Sequence, residues 1–216
     1  LKMTRTEGQI TNKEAPNYEW AYTFYGCENI TMGEGFDLPQ DDMVSVGNYF
    51  AYSMFYDCSG DSFTMSKDFN LPQGLMEAKY AFAANMFYNC SGDSFTMSEN
   101  FNLPQSLTSV GDDFANGIFS KCGGASFKMS ESFNLPQDLE SVGGFFAANM
   151  FNECSGSSFT MSENFNLPQK LTSVGQSFAR NMFNECGGDS FTMSESFNLP
   201  QDLVSIGDYF ANSMFS

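Results

Sequence analysis

The chain is 216 residues long and 42% hydrophobic, with 26 Asp and Glu against 9 Lys and Arg, a net charge of −17, and no histidine. Its field is negative over most of the surface, which excludes nucleic acid and anionic membrane as partners, because either needs a basic patch to displace counterions. The missing histidine removes Ser-His-Asp and Cys-His nucleophile pairs and every His-based metal site, and no stretch approaches the roughly 20 apolar residues of a membrane-spanning helix.

Residues 1–26, with Lys2, Arg5 and Lys13 as sparse cations, read as a divergent first coil or cap. From residue 27 to 216 the chain reads as tandem repeats. The pentapeptide Phe-Asn-Leu-Pro-Gln opens at Phe69, Phe101, Phe133, Phe165 and Phe197, a constant spacing of 32 residues, and a variant, Phe-Asp-Leu-Pro-Gln, opens at Phe36. A fixed period of this length marks a solenoid, in which each unit buries its apolar face against its neighbours. The expected fold is an α/β repeat solenoid, with parallel strands stacked in about six coils and a short helix per coil.

The unit from Ser126 to Ser157 shows the order of elements. Phe127 and Met129 alternate with Ser126, Lys128 and Ser130, the period-2 signature of a half-buried strand. Phe133 and Leu135 point to the core by the same alternation, and Pro136 closes the segment. Leu139 to Gly143 follows as a second short extended piece or turn. Phe146, Met150 and Cys154, with Ala147 and Phe151 beside them, have helical spacing over about two turns. Ser155-Gly156 then turns the chain toward the next strand. Stacking at about 4.8 Å per strand builds ladders: Phe63, Phe95, Phe127, Phe159 and Phe191; Met65, Met97, Met129, Met161 and Met193; and Phe55, Phe87, Phe119, Phe151, Phe183 and Phe215.

The segment Leu103-Pro-Gln-Ser-Leu-Thr-Ser-Val-Gly111, followed by a Phe-rich stretch and Cys122, resembles the BspA-like class of bacterial leucine-rich repeat. The likeness covers about two thirds of each unit, and the Pro-to-Gly spacing is that of the family. The unit departs from the family's usual length of about 23 residues by longer Gly-to-Cys and Cys-to-Pro intervals. The resemblance implies a leucine-rich-repeat-like fold and a secreted or surface-exposed bacterial protein used in adhesion, with a host matrix or other cell-surface protein as partner.

Cys27, Cys58, Cys90, Cys122, Cys154 and Cys186 occur once per unit. From Cys58 onward each closes the apolar stripe, so Cys58, Cys90, Cys122, Cys154 and Cys186 are expected as a buried ladder of free thiols. Parallel Cβ vectors hold neighbours too far apart for relaxed disulfides, and stacked single thiols do not converge on a tetrahedral metal. Asn70, Asn102, Asn134, Asn166 and Asn198, with Asp37 in the first unit, read as a ladder that satisfies backbone groups at the turn. Thr64, Thr96, Thr160 and Thr192 make a hydroxyl-rich outer face interrupted by Lys128, read as a soluble strand surface. The acids Asp61, Asp93 and Asp189 give way to Ala125 and Ser157, and so lack the ligand density of a calcium turn.

Positions that vary between units, such as the column Asp57, Asn89, Lys121, Glu153 and Glu185, are free of packing duty. One unit carries Ala78-Lys79 in place of Val-Gly, followed by Tyr80. Lys79 and Tyr80, with Lys128, are the candidate partner-binding residues; tolerance of a degenerate repeat is the competing reading. No acid breaks an apolar pattern, so no enzyme activity, cofactor or metal is expected. The alternative to adhesion is a structural spacer or fibre-forming rod, which near-identical units favour. The chain starts at Leu1 without a signal sequence and stops two residues before the next cysteine falls due. It therefore reads as a segment of a longer protein, with end-to-end self-association expected at its uncovered C-terminal unit.

Overall fold

A computed structural model describes residues 14–40, 43–91, 94–123, 127, 129–155, 159, 161–187 and 191–216. Nine short strands occur in chain order: β1 Glu14–Ala15, β2 Ser45–Val46, β3 Ser62–Thr64, β4 Glu77–Ala78, β5 Ser94–Thr96, β6 Ser109–Val110, β7 Ser141–Val142, β8 Ser173–Val174 and β9 Ser205–Ile206. They pair in parallel as β1-β2-β4-β6, β7-β8-β9 and β3-β5. The register carries the repeat, since Ser45 faces Glu77, Ser62 faces Ser94 and Val142 faces Val174, each 32 residues on. Residues 14–26 join the same pattern, with Ala15 opposite Val46. Isolated bridges Ser59↔Ser91↔Gly123↔Ser155↔Gly187 form a further parallel line.

The second short extended piece forms the Ser-Val strands, with Val46, Val142 and Val174 buried. After β8 the neighbouring backbones close in: a Cβ on Gly175 would lie 2.5 Å from the Gly143 carbonyl carbon. Glycine suits that approach, while the same column holds Pro16 after β1 and Lys79 after β4. In the other expected strand, β3 and β5 put Phe63 and Phe95 in the core. In the third copy Phe127 and Met129 are buried, while Ser126 and Lys128 lie outside the described residues, as does Thr160.

The expected helix is absent. No helix occurs among the described residues, and the segment from Phe145 to Cys154 is a run of turns in which Phe145, Ala147, Asn149 and Glu153 have φ of 52° to 57°. Ala148, Asn152 and Cys154 donate to carbonyls three residues back, whereas Asn149, Phe151 and Glu153 donate to Arg180, Met182 and Asn184 of the next unit at 2.7–2.8 Å. The physical reason is spacing. Packed helix axes need 8–10 Å, but the Phe50-82-114-146-178-210 ladder within these turns has centroids 5.4–5.6 Å apart. The Phe63-95-127-159-191 ladder in the strand segment repeats at 4.9–5.5 Å. Neither segment opens wide enough for a helix per unit. Left-handed residues cost about 1–2 kcal/mol each, which the hydrogen bonds between units and the buried rings offset.

Two further ladders, Phe55-87-119-151-183-215 at 5.2–5.6 Å and Phe69-101-133-165-197 at 6.0–6.1 Å, fill the interior. The second crosses the first nearly edge-on, as between Phe119 and Phe133 at 5.2 Å and 79°. Each fully buried ring contributes roughly 1.5–3 kcal/mol. The result is a repeat-like, β-rich fold of parallel strands around a column of phenylalanine.

Candidate functional site

The outward residues of the turn segment in the first three units include a run of tyrosines. Eight of the nine tyrosines fall between residues 18 and 88. Phe50, Met54 and Phe55 are buried while Tyr49, Tyr52 and Tyr56 reach the surface. Preceding them lie Tyr18, Tyr22 and Tyr25, about half exposed, and following them Tyr80 and Tyr88. Tyr25, Tyr56 and Tyr88 stack in one column at 5.1 and 4.6 Å, within 10° of parallel. Tyr18 stacks on Tyr49 at 4.6 Å. Tyr52 and Tyr80 meet Tyr49 edge-on at 5.4 and 5.1 Å, and Tyr22 meets Tyr52 at 5.5 Å and 72°.

Three of these phenols, Tyr22, Tyr56 and Tyr80, are raised above their ordinary value. The Asp113 carboxylate, hydrogen-bonded to the Tyr80 hydroxyl, pushes that phenol up to about 12. Partial burial, then the neighbouring Tyr52, raises Tyr22; partial burial, then Tyr88, raises Tyr56. The face ends where Lys121 sits over the Tyr88 ring, 5.8 Å from its centroid, and pairs with Glu153 at 3.5 Å. Beyond it the same columns turn to amides, with Asn149 donating to Asn116, and Asn181 to Asn149, at 3.1 Å.

Tyr80 therefore belongs to a cluster, and exposed Lys79 stands beside it at the position that glycine holds in neighbouring units. Lys128, the third candidate, lies outside the described residues. The other tyrosines were missed by reading each unit against a consensus. The crowding of eight tyrosines into the first 88 residues was the available signal.

The five ladder cysteines each donate Sγ–H to the carbonyl of a phenylalanine 34 or 35 residues earlier: Cys58 to Phe24, Cys90 to Phe55, Cys122 to Phe87, Cys154 to Phe119 and Cys186 to Phe151, at 2.9–3.1 Å. All six are free thiols. Burial pushes Cys90, Cys122 and Cys154 up, while Cys58 is raised first by its hydrogen bond with Cys90 and then by burial. Protonated, enclosed sulfurs are packing groups rather than nucleophiles. No group of three or more potential metal ligands occurs among the described residues, and no helix there is long and apolar enough to cross a membrane.

At the Phe-Asn-Leu-Pro-Gln turn, Asn102 Oδ1 accepts from Asn134 N, Asn134 Oδ1 from Asn166 N, and Asn166 Oδ1 from Asn198 N, at 2.8–2.9 Å. Gln137 Nε2 donates within its own turn to the Leu135 carbonyl and onward to the Asn166 carbonyl of the next unit. A concavity among the described residues, about 390 Å³, is lined by Phe95–Glu99 and Met129–Glu131. Its serine hydroxyls are committed to carbonyls, Ser98 to Lys67 and Ser130 to Glu99.

Comparison with protein-family models, with curated proteins and with solved structures returned no match.

Proposed function

We propose that this chain is a leucine-rich-repeat-like solenoid, of the BspA-like kind but with turns in place of helices, and that it binds a protein partner without catalysing a reaction. The partner class is a host matrix or other cell-surface protein, and the location extracellular or on the cell surface, as the sequence resemblance implies. The observation that carries the reading is the tyrosine face. Monomeric proteins seldom expose contiguous aromatic surface without a partner for it, and tyrosine supplies contact area at low conformational entropy cost. The competing spacer reading draws on the later units, whose surface columns repeat amides with little variety.

The test is binding of immobilised extracellular-matrix proteins to the chain and to a variant carrying Tyr22→Ser, Tyr52→Asn and Tyr80→Asp. Loss of binding at unchanged melting temperature supports the adhesive reading. Absence of binding by the unaltered chain to any matrix or cell-surface protein supports the spacer.

A further inference from the structure

The class of partner chemistry that suits the tyrosine face follows from ring geometry and charge. Stacking occludes one column, since Tyr56 is sandwiched between Tyr25 and Tyr88. Tyr22, Tyr52 and Tyr80 instead meet the rings around them at angles of 59° to 88°, so none of the three is sandwiched between parallel rings. Asp57 and Asp113 stand close enough to perturb Tyr56 and Tyr80. Across residues 14–91 the sequence holds 11 Asp and Glu against Lys67 and Lys79 alone. A neutral ring has a negative face, and a cation held within about 6 Å of a ring centroid is attracted to it.

The chain already uses this chemistry on the same turn segment. Lys121 lies 5.8 Å from the Tyr88 centroid and Arg180 5.4 Å from that of Tyr209. Each is supplied by the unit adjoining the ring it covers. Tyr22, Tyr52 and Tyr80 have the same ring type on the same strip, and among the described residues the cations seated over tyrosine faces are Lys121 and Arg180, over other rings.

Resting on the adhesive reading above, we propose that the occupant of this face is a lysine- and arginine-rich segment of the partner protein, its cations seated on Tyr22, Tyr52 and Tyr80, with Asp113 beside Tyr80. The negative field draws the basic segment in, and the rings fix where it docks. Acidic segments are repelled, and an uncharged apolar segment gains nothing from the carboxylates.

The experiment titrates the whole chain with an arginine–serine repeat peptide and with lysine–serine and glutamate–serine counterparts of equal length. The proteins compared are the unaltered chain, Tyr22→Leu/Tyr52→Leu, Tyr22→Phe/Tyr52→Phe and, away from the face, Val204→Ser. The expected result is binding of the arginine and lysine peptides but not the glutamate peptide. The leucine pair should weaken it roughly five- to tenfold, while the phenylalanine pair stays within about twofold. Val204→Ser should change nothing. Ring-proton shifts of the tyrosines in the unaltered chain, read by NMR on adding peptide, give a second measure that does not depend on the variants folding. Equal binding by the leucine pair, or shifts spread evenly over the chain, would mean that diffuse acidity holds the peptide and would overturn the site. Binding of a neutral glycan in place of the cationic peptides would overturn it too. Matrix binding that depends on the tyrosines but is not competed by the arginine peptide removes the cationic partner and leaves the adhesive function standing.

Discussion

At position 37 the first unit carries a carboxylate where the next five carry asparagine. Asp37 Oδ1 does the same work, accepting from Leu38 N and Asn70 N at 2.8 Å. Partial burial raises its pKa above 3.8 and outweighs those hydrogen bonds. A raised acid favours folding while protonated, so its contribution is fully present below 3.8 and is lost as pH rises through the folded value. Asp37→Asn keeps the acceptor and removes the charge. It should raise the melting temperature at neutral pH, and the gain should vanish when both proteins are melted below the carboxylate range. The thiols make a second residue-scale test. Cys90, Cys122 and Cys154 should resist alkylation in the folded protein, the less buried Cys27 and Cys186 should label first, and unfolding without reductant should label all six. Three intact disulfides in that digest would contradict the ladder geometry.

At the scale of elements, the strand and turn were legible and the connecting segment was not. Alternation at Phe127 and Met129 signalled which side faces the core, and the fixed Asn-Leu-Pro-Gln signalled a turn whose side chains satisfy backbone groups. The spacing of Phe146, Met150 and Cys154 suits a helix, but it equally suits turns that return every fourth residue to the core. What decides between them is the distance between units, which no single unit encodes. A local hint did exist, because the left-handed position held by Asn149 is occupied by Ser53, Asn85, Gly117, Asn181 and Ser213 in other units, and Asn and Gly are the residues that tolerate that conformation. Asn134→Ala strips the acceptor from Leu135 N and Asn166 N and should cost about 2–4 kcal/mol in denaturant unfolding. Met129→Asp places a charge in the buried strand segment and should cost roughly 3 kcal/mol or more, whereas Thr96→Asp on the exposed side should shift the midpoint by less than about 0.5 kcal/mol. Equal shifts for these two would reverse the facing of the strand.

Across the whole molecule, the described phenylalanine stacks and a large share of the backbone hydrogen bonds join a unit to the one before or after it. Phe119 stacks on Phe87 at 5.3 Å and Phe151 at 5.6 Å, and tilts against Phe101, Phe127 and Phe133. The backbone does likewise, with Phe119 N donating to Met150 and Phe87 N to Ile118. An array built from such neighbour terms approximates a one-dimensional chain of coupled units, in which damage spreads outward from where it is made. Phe119→Ala should cost about 3–5 kcal/mol and should split the array. Hydrogen exchange should quicken most in the units ending at Cys90, Cys122 and Cys154, with protection recovering toward the Cys58 unit on one side and the Cys186 unit on the other. Phe215→Ala removes a ring that is 59% exposed and rests on Phe183 and Phe197, so its effect should stay within the last two units. Uniform loss of protection after Phe119→Ala would mean that the units unfold as one globular body, and that the phenylalanine column is a single core rather than a series of interfaces.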